Sequence, residues 1–144
     1  MKALFDTSVL VAASVESHPH HARAWLWLKR AHGGEIDFHV AAHSLAECYA
    51  VLTAIPTRPR LTPPTAARII RENVESKARI VALTAGDYGS VVRELARLGL
   101  SGGVIYDAII ARSAAKVQAE LLLTLNPDHF TRVWPEGADV VSVP

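Results

Sequence analysis

Short apolar runs alternate along this chain with longer segments of helical period. Lys2 to Phe5 reads as a strand, and in "DTSVLVAAS" Thr7 and Ser8 stand where it turns into a helix, both good capping types. "HPHHARAWLWLKRAHGG" predicts an amphipathic helix that stops at Gly33 and Gly34. "IDFHVAA" is a second strand, and "HSLAECYAVLTAI" a helix ended by Pro56. "PTRPRLTPP" is an exposed loop carrying Arg58 and Arg60. "TAARIIRENVESKA" gives a further helix, with Ile69, Ile70 and Val74 inward and Arg68, Arg71 and Glu75 outward.

The second half repeats the alternation. "RIVAL" is a strand, and "TAGDYGSVVRELARLGL" a helix opened by Thr84 and ended at Gly99. "SGGVIYDAIIARSAAKVQ" is the next helix, followed by the strand "ELLLTL". "NPDHFTRVW" reads as a turn and short helix, and "ADVVSV" as a last strand. Continuously apolar strands between helices are the pattern of a parallel sheet covered on both faces. With no internal repeat, low-complexity tract or linker, residues 1–144 are expected to form one domain.

Composition narrows the setting more than the function. A net charge of +1 neither announces nor excludes a polyanionic partner, so any RNA or DNA binding must use a local patch. Cys48 is the only cysteine, which leaves no intrachain disulfide and no cysteine-based zinc site. A reducing compartment fits best. Asp6 interrupts the apolar N-terminus, which therefore reads as a strand and not as a signal peptide. No apolar run reaches the roughly 18 residues of a membrane span. A soluble cytoplasmic protein is the expectation.

The informative feature is where isolated acids fall. Asp6 is the only charge between Ala3 and Val15, Glu47 the only one between Phe38 and Ile55, and Asp107 the only one from Gly102 to Ala111. No lysine or arginine lies three or four residues from either helical acid, so no intrahelical ion pair explains them. A lone buried carboxylate is costly unless something compensates it. Each has an ordinary alternative. Asp6 can cap a helix, Asp107 can favour the positive end of its helix, Glu47 can face solvent, and Asp128 or Asn126 can serve the last short helix.

Taken together, the acids suggest more. In an open α/β sheet the functional crevice lies at the carboxyl ends of the strands. Asp6 follows the first strand, Asn126 and Asp128 follow the strand ending at Leu125, and Glu47 and Asp107 lie near the starts of helices that can border the same edge. Oxygen ligands converging there would repel one another, and a hard divalent cation such as Mg²⁺ or Mn²⁺ would relieve the repulsion.

"LFDTSVL", "HSLAECYAVL", "SGGVIYDAIIARSA" and "LLTLNPDHF" in series resemble the PIN-domain ribonucleases, specifically the VapC-type toxins of bacterial toxin–antitoxin pairs. The resemblance spans nearly the whole chain. It implies a three-layer α/β/α sandwich with a mostly parallel sheet, and an acidic pocket for one or two Mg²⁺ or Mn²⁺ ions. By motif, Asp6, Glu47 and Asp107 match the family's regular acids. Asn126 stands where the family often has its fourth aspartate, with Asp128 two residues on, and both assignments stay open. Ser8 and Thr124 match small hydroxyl positions that support the acids. The implied chemistry is hydrolysis of an RNA phosphodiester, in tRNA or rRNA, by a metal-activated water. Asp6 and Asp107 would contact the metal directly, and Glu47 through the metal or its water. The implied partners are a cognate VapB-like antitoxin and a second copy of the chain.

Other residues weigh less. Pro19 marks a helix start, and His18, His20 and His21 are expected to form a solvated helix entry, not a metal site. Cys48 is expected to be a buried small hydrophobe. Trp25 and Leu28 fit a packing stripe, with Trp27 on an exposed face. Arg58, Arg60, Lys29, Arg30, Arg68 and Arg71 are candidates for steering phosphates. Against the ribonuclease reading stand a DNA nuclease, disfavoured because an arch or helical clamp is missing from the 144 residues, and a noncatalytic RNA-binding or scaffold domain. A dinucleotide binder lacks its G-x-G-x-x-G, and a phosphoaspartyl phosphatase would want an aspartate where Ser8 stands.

Overall fold

The computed structural model describes residues 1–144. Its strands are β1 (Lys2–Phe5), β2 (Asp37–Ala41), β3 (Arg79–Val81), β4 (Leu121–Leu123) and β5 (Val141–Ser142). Its helices are α1 (Thr7–Ser14), α2 (His21–His32), α3 (Ala42–Ala54), α4 (Pro63–Ile70), α5 (Ala85–Leu98), α6 (Val104–Lys116) and α7 (Pro127–Val133). The strands form one sheet in the order β3-β2-β1-β4-β5, and every pairing is parallel. The three-layer α/β/α architecture expected from the sequence is the one observed.

The apolar runs are continuous because successive side chains enter different cores. Ala3 and Phe5 of β1, Phe38 and Val40 of β2 and Leu123 of β4 pack under α1 to α4. Leu4, Ala41, Val81 and Leu122 point the other way, beneath α5, α6 and α7. A fully buried side chain of this size contributes roughly 1.5–3 kcal/mol. A strand supplying both faces therefore has little room for polar positions, and His39 of β2 is the buried exception, its Nδ1 3.0 Å from the Asp37 carbonyl.

The helix boundaries have local causes. Thr84 and Asp87 close a capping box at the start of α5, and Gly99 ends that helix with φ +68°. The helix expected over residues 65–78 is regular only to Ile70, and then a π turn follows over Arg71–Glu75. There His32 Nε2 takes the Asn73 carbonyl at 2.9 Å, and Ile70 and Val74 both remain buried. The last strand is shorter than expected, because Pro135–Val140 forms a 3-10 turn that uses up Ala138, Asp139 and Val140. The tryptophan expectation is reversed: Trp25 is the exposed one, and Trp27 packs on the core with Arg30 4.7 Å over its ring. Leu28 is buried as expected. No helix is long and apolar enough to cross a membrane.

The sheet order sets the position of the functional edge. From β1 the chain builds outward through β2 and β3, then crosses back to lay β4 and β5 on the other side. The switch point lies between β1 and β4, where adjacent loops leave the sheet in different directions and open a crevice. Asp6 N–H donates to the Leu123 carbonyl at 2.9 Å across that point.

Candidate active site

Asp6 is the first residue beyond β1 and occupies the N-cap position of α1, yet its side chain caps nothing. Two hydroxyls hold it: Ser8 Oγ donates to Oδ2 at 2.6 Å, and Thr124 Oγ1 donates to the same oxygen at 2.9 Å. Each hydroxyl is itself fixed by a backbone donor, Leu125 N–H to Ser8 Oγ and Asn126 N–H to Thr124 Oγ1, both at 3.0 Å. The single proton of each hydroxyl is therefore committed to Asp6. Neither reaches Oδ1.

Glu47 lies on α3, one turn into the helix, and is half-buried. Thr7 Oγ1 donates to its Oε1 and is hydrogen-bonded to buried Ser44 Oγ at 3.0 Å. His43, one helical turn earlier, places Nε2 3.8 Å from Glu47 Oε2. Its ring stacks on Tyr106 of α6 with centroids 5.2 Å apart, and Nε2 has no hydrogen-bond partner. Asp107 follows Tyr106 and is half-buried, with His129 Nδ1 3.6 Å from its Oδ2. Asp107 does lie in the first turn of α6, where the helix favours an acid, but it and Glu47 also line a common cleft.

That cleft, of about 470 Å³, is lined by Asp6, Glu47, Asp107, Ser8 and Asn126 among others, and no lysine or arginine lines it. Burial pushes the Asp6 carboxyl up from its ordinary range, and the Glu47 charge adds to this, against the two hydroxyls that favour the anion. Asp107 is also raised, first by burial and then by Asp6, while His129 opposes the shift. The acids thus raise one another's cost of ionisation. Cys48, beside Glu47, is buried and its thiol is pushed up to about 12, which matches the inert hydrophobe expected.

The structure brings Asp6, Glu47, Asp107, Ser8, Thr124 and Asn126 to one place. It does not bring Asp128, which is exposed in the first turn of α7 and outside the cleft lining. Nor do the candidate basic residues ring the cleft. Arg58 and Arg60 line a separate depression, and Lys29 and Arg30 another. His18, partly exposed, and His20, exposed, do line it from the solvated entry to α2. Asp6, Glu47, Asp107 and Asn126 offer hard oxygen donors, the chemistry that Mg²⁺ or Mn²⁺ favours. No three acid, histidine or cysteine side chains close into a ready-made cage. Glu47 is drawn toward Thr7 instead, so the arrangement suits a cation that keeps several of its waters.

The PIN domain family model matches residues 3–134. The chain belongs to the PIN-domain family. Among curated relatives, Ribonuclease VapC27 of Mycobacterium tuberculosis is 37% identical over 118 residues, covering 81% of this chain and 79% of that protein. Ribonuclease VapC40 of the same organism is 33% identical over 117 residues, 81% of each. These are VapC-type proteins, as the four sequence blocks suggested. Solved structures with the same PIN fold include VapBC2 from Rickettsia felis bound to a promoter DNA fragment, with TM-score 0.67 and 21% identity over 99% of this chain and 98% of that one. Another is VapC20 of M. tuberculosis, described as a sarcin–ricin loop cleaving toxin, with TM-score 0.64 and 17% identity over 83% and 86%.

Proposed function

We propose that this PIN domain is a divalent-metal-dependent endoribonuclease and the toxin of a toxin–antitoxin pair, acting in the cytoplasm on tRNA or rRNA. The observation that carries the reading is the meeting of Asp6, Glu47 and Asp107 at the β1/β4 switch point, without a lysine or arginine in the lining. The ribonuclease names of its relatives support the reaction class. Residues 1–144 act as one nuclease domain.

Asp6 and Asp107 are the residues assigned to hold Mg²⁺ or Mn²⁺, with Asp6 Oδ1 free because both hydroxyls bond Oδ2. When bound, the cation supplies positive charge for the scissile phosphate and acidifies the attacking water. Ser8 and Thr124 orient the Asp6 carboxylate and favour its anion against the effect of burial. Glu47 is held ready on the opposite wall by Thr7, where it can accept a proton or a ligand water. Asn126 lines the cleft and takes the fourth position, while Asp128 would need a change in the α7 entry to reach it. A VapB-like antitoxin and a second copy of the chain are the proposed partners. Exposed Trp25, Leu26, Tyr49 and Val51 offer apolar surface for such contacts.

The test is incubation of total host RNA with antitoxin-free protein and Mg²⁺ or Mn²⁺, with new 5′ ends mapped by sequencing. Discrete cuts that vanish in chelator and with Asp6→Asn are expected. Their absence from well-folded protein would favour a noncatalytic RNA-binding domain.

A further inference from the structure

The connection between α1 and α2 brings His18 and His20 to the wall of the acidic cleft. Apart from Asn126, they are the only lining side chains that carry an N–H. Their hydrogen bonds define which nitrogen carries the proton. His18 Nδ1 lies 3.1 Å from the His20 backbone N–H, a group that can only donate. His20 Nδ1 lies 3.2 Å from Arg23 Nη2, and a guanidinium has no acceptor. In both neutral rings Nδ1 is the acceptor and the proton sits on Nε2. Their neighbour has the opposite tautomer, since His21 Nδ1 must donate to the Ala12 carbonyl at 2.9 Å. His21 anchors the connection to α1, and its ring stacks on Trp25.

This arrangement has two chemical consequences. A ring whose Nδ1 accepts and whose Nε2 holds the proton has its lone pair already engaged, so His18 and His20 meet the cleft as donors rather than as ligands. A neutral N–H can also meet a phosphate oxygen without cancelling the acids across the cleft. A lysine there would pair with Asp6, Glu47 or Asp107 and compete with a cation. Burial and the neighbouring histidines push the His18 pKa down, which favours the neutral ring.

We propose that His18 and His20 form a neutral two-donor subsite, with Nε2–H groups directed at the non-bridging oxygens of an RNA phosphate next to the one that is cut. The subsite rests on the ribonuclease reading above and deepens it. The two rings stand with centroids 5.8 Å apart, close enough to serve one phosphate or its immediate neighbour. The residues position substrate and move no proton.

The test measures binding without cleavage, by fluorescence anisotropy in chelator, using a labelled 12-nucleotide RNA of randomised sequence and its uncharged methylphosphonate counterpart. His18→Asn keeps the δ-position acceptor for the His20 N–H and loses the ε-position donor. The double variant His18→Asn/His20→Asn is expected to lower affinity for the phosphodiester RNA about tenfold. The same change should cost less on the methylphosphonate strand, whose linkages keep one non-bridging oxygen and no charge. His20→Gln, which keeps an N–H at the ε position, should recover part of the loss. Long-range ¹H–¹⁵N spectra of the histidine rings should show both protons on Nε2. Where wild-type protein cuts RNA, the double variant should raise KM with kcat little changed. Unchanged affinity, an equal loss on the methylphosphonate strand, or protons on Nδ1 would overturn the subsite while leaving Asp6-dependent cleavage untouched. Failure of metal-dependent cleavage, with histidine-dependent RNA binding retained, would sink the nuclease reading alone.

Discussion

Asp6 and Asp87 each sit at the start of a helix, in opposite surroundings. Asp87 accepts the Thr84 N–H at 2.9 Å, and Lys116 Nζ and Arg112 Nη2 lie 2.7 and 3.4 Å from its oxygens. The Lys116 bond leads these contacts in holding its carboxyl well below the usual range. Asp6 has hydroxyls but no cation, is buried, and is raised. One aspartate ties α5 to α6 and favours folding. The other works against folding at neutral pH, because an ionised carboxylate out of water costs several kcal/mol unless paired. That cost is one a bound cation would relieve, as the proposed function requires.

The contrast can be broken most forcefully at the hydroxyls. Ser8→Ala or Thr124→Val removes a donor to Asp6, and each should weaken Mn²⁺ binding roughly 10–100-fold, measured by calorimetry. Unchanged affinity would show that the hydroxyls merely pack. A smaller effect separates the two aspartates by pH. For Asp6 and Asp107 the native state binds protons more tightly than the unfolded chain, so metal-free stability falls as pH rises from about 4 through their raised native values. For Asp87 the sign is reversed. Its contribution is present above the unfolded value and is lost as pH falls through its depressed native one. Thermal melts in chelator across pH should show Asp6→Asn flattening the fall on the neutral side. The smallest effect belongs to Asp87→Asn, which should lower the neutral-pH melting point by a few degrees, leave cleavage intact, and lose that difference in acid.

Much of this was legible before any coordinates. The strands were, because burial on both faces gives the central ones long apolar runs, and the α5 caps were, because Thr84 and Gly99 act locally. Asp6, Glu47 and Asp107 stood out as charges without local partners. What was not legible depends on chain closure. Trp25 and Trp27 exchange roles because the rotation of α2 is set by the core beneath it. His18 and His20 line the cleft through the path of the connection between α1 and α2, although a histidine cluster just before a helix was a visible signal. Asp128 sits two residues from a lining position, and the direction of the α7 entry, which no periodicity encodes, turns it to solvent.

The most direct measurement is the thermal midpoint of wild type and Asp6→Asn at pH 7.5, in chelator and in Mn²⁺. The account predicts a crossing. In chelator the variant melts higher, since the buried charge is gone and an amide oxygen can still accept from Ser8 and Thr124. In Mn²⁺ the wild type rises by an amount set by ion concentration over Kd, and the variant does not. A variant that melts lower in chelator, with neither protein responding to the ion, would mean that Asp6 serves the fold and not a metal.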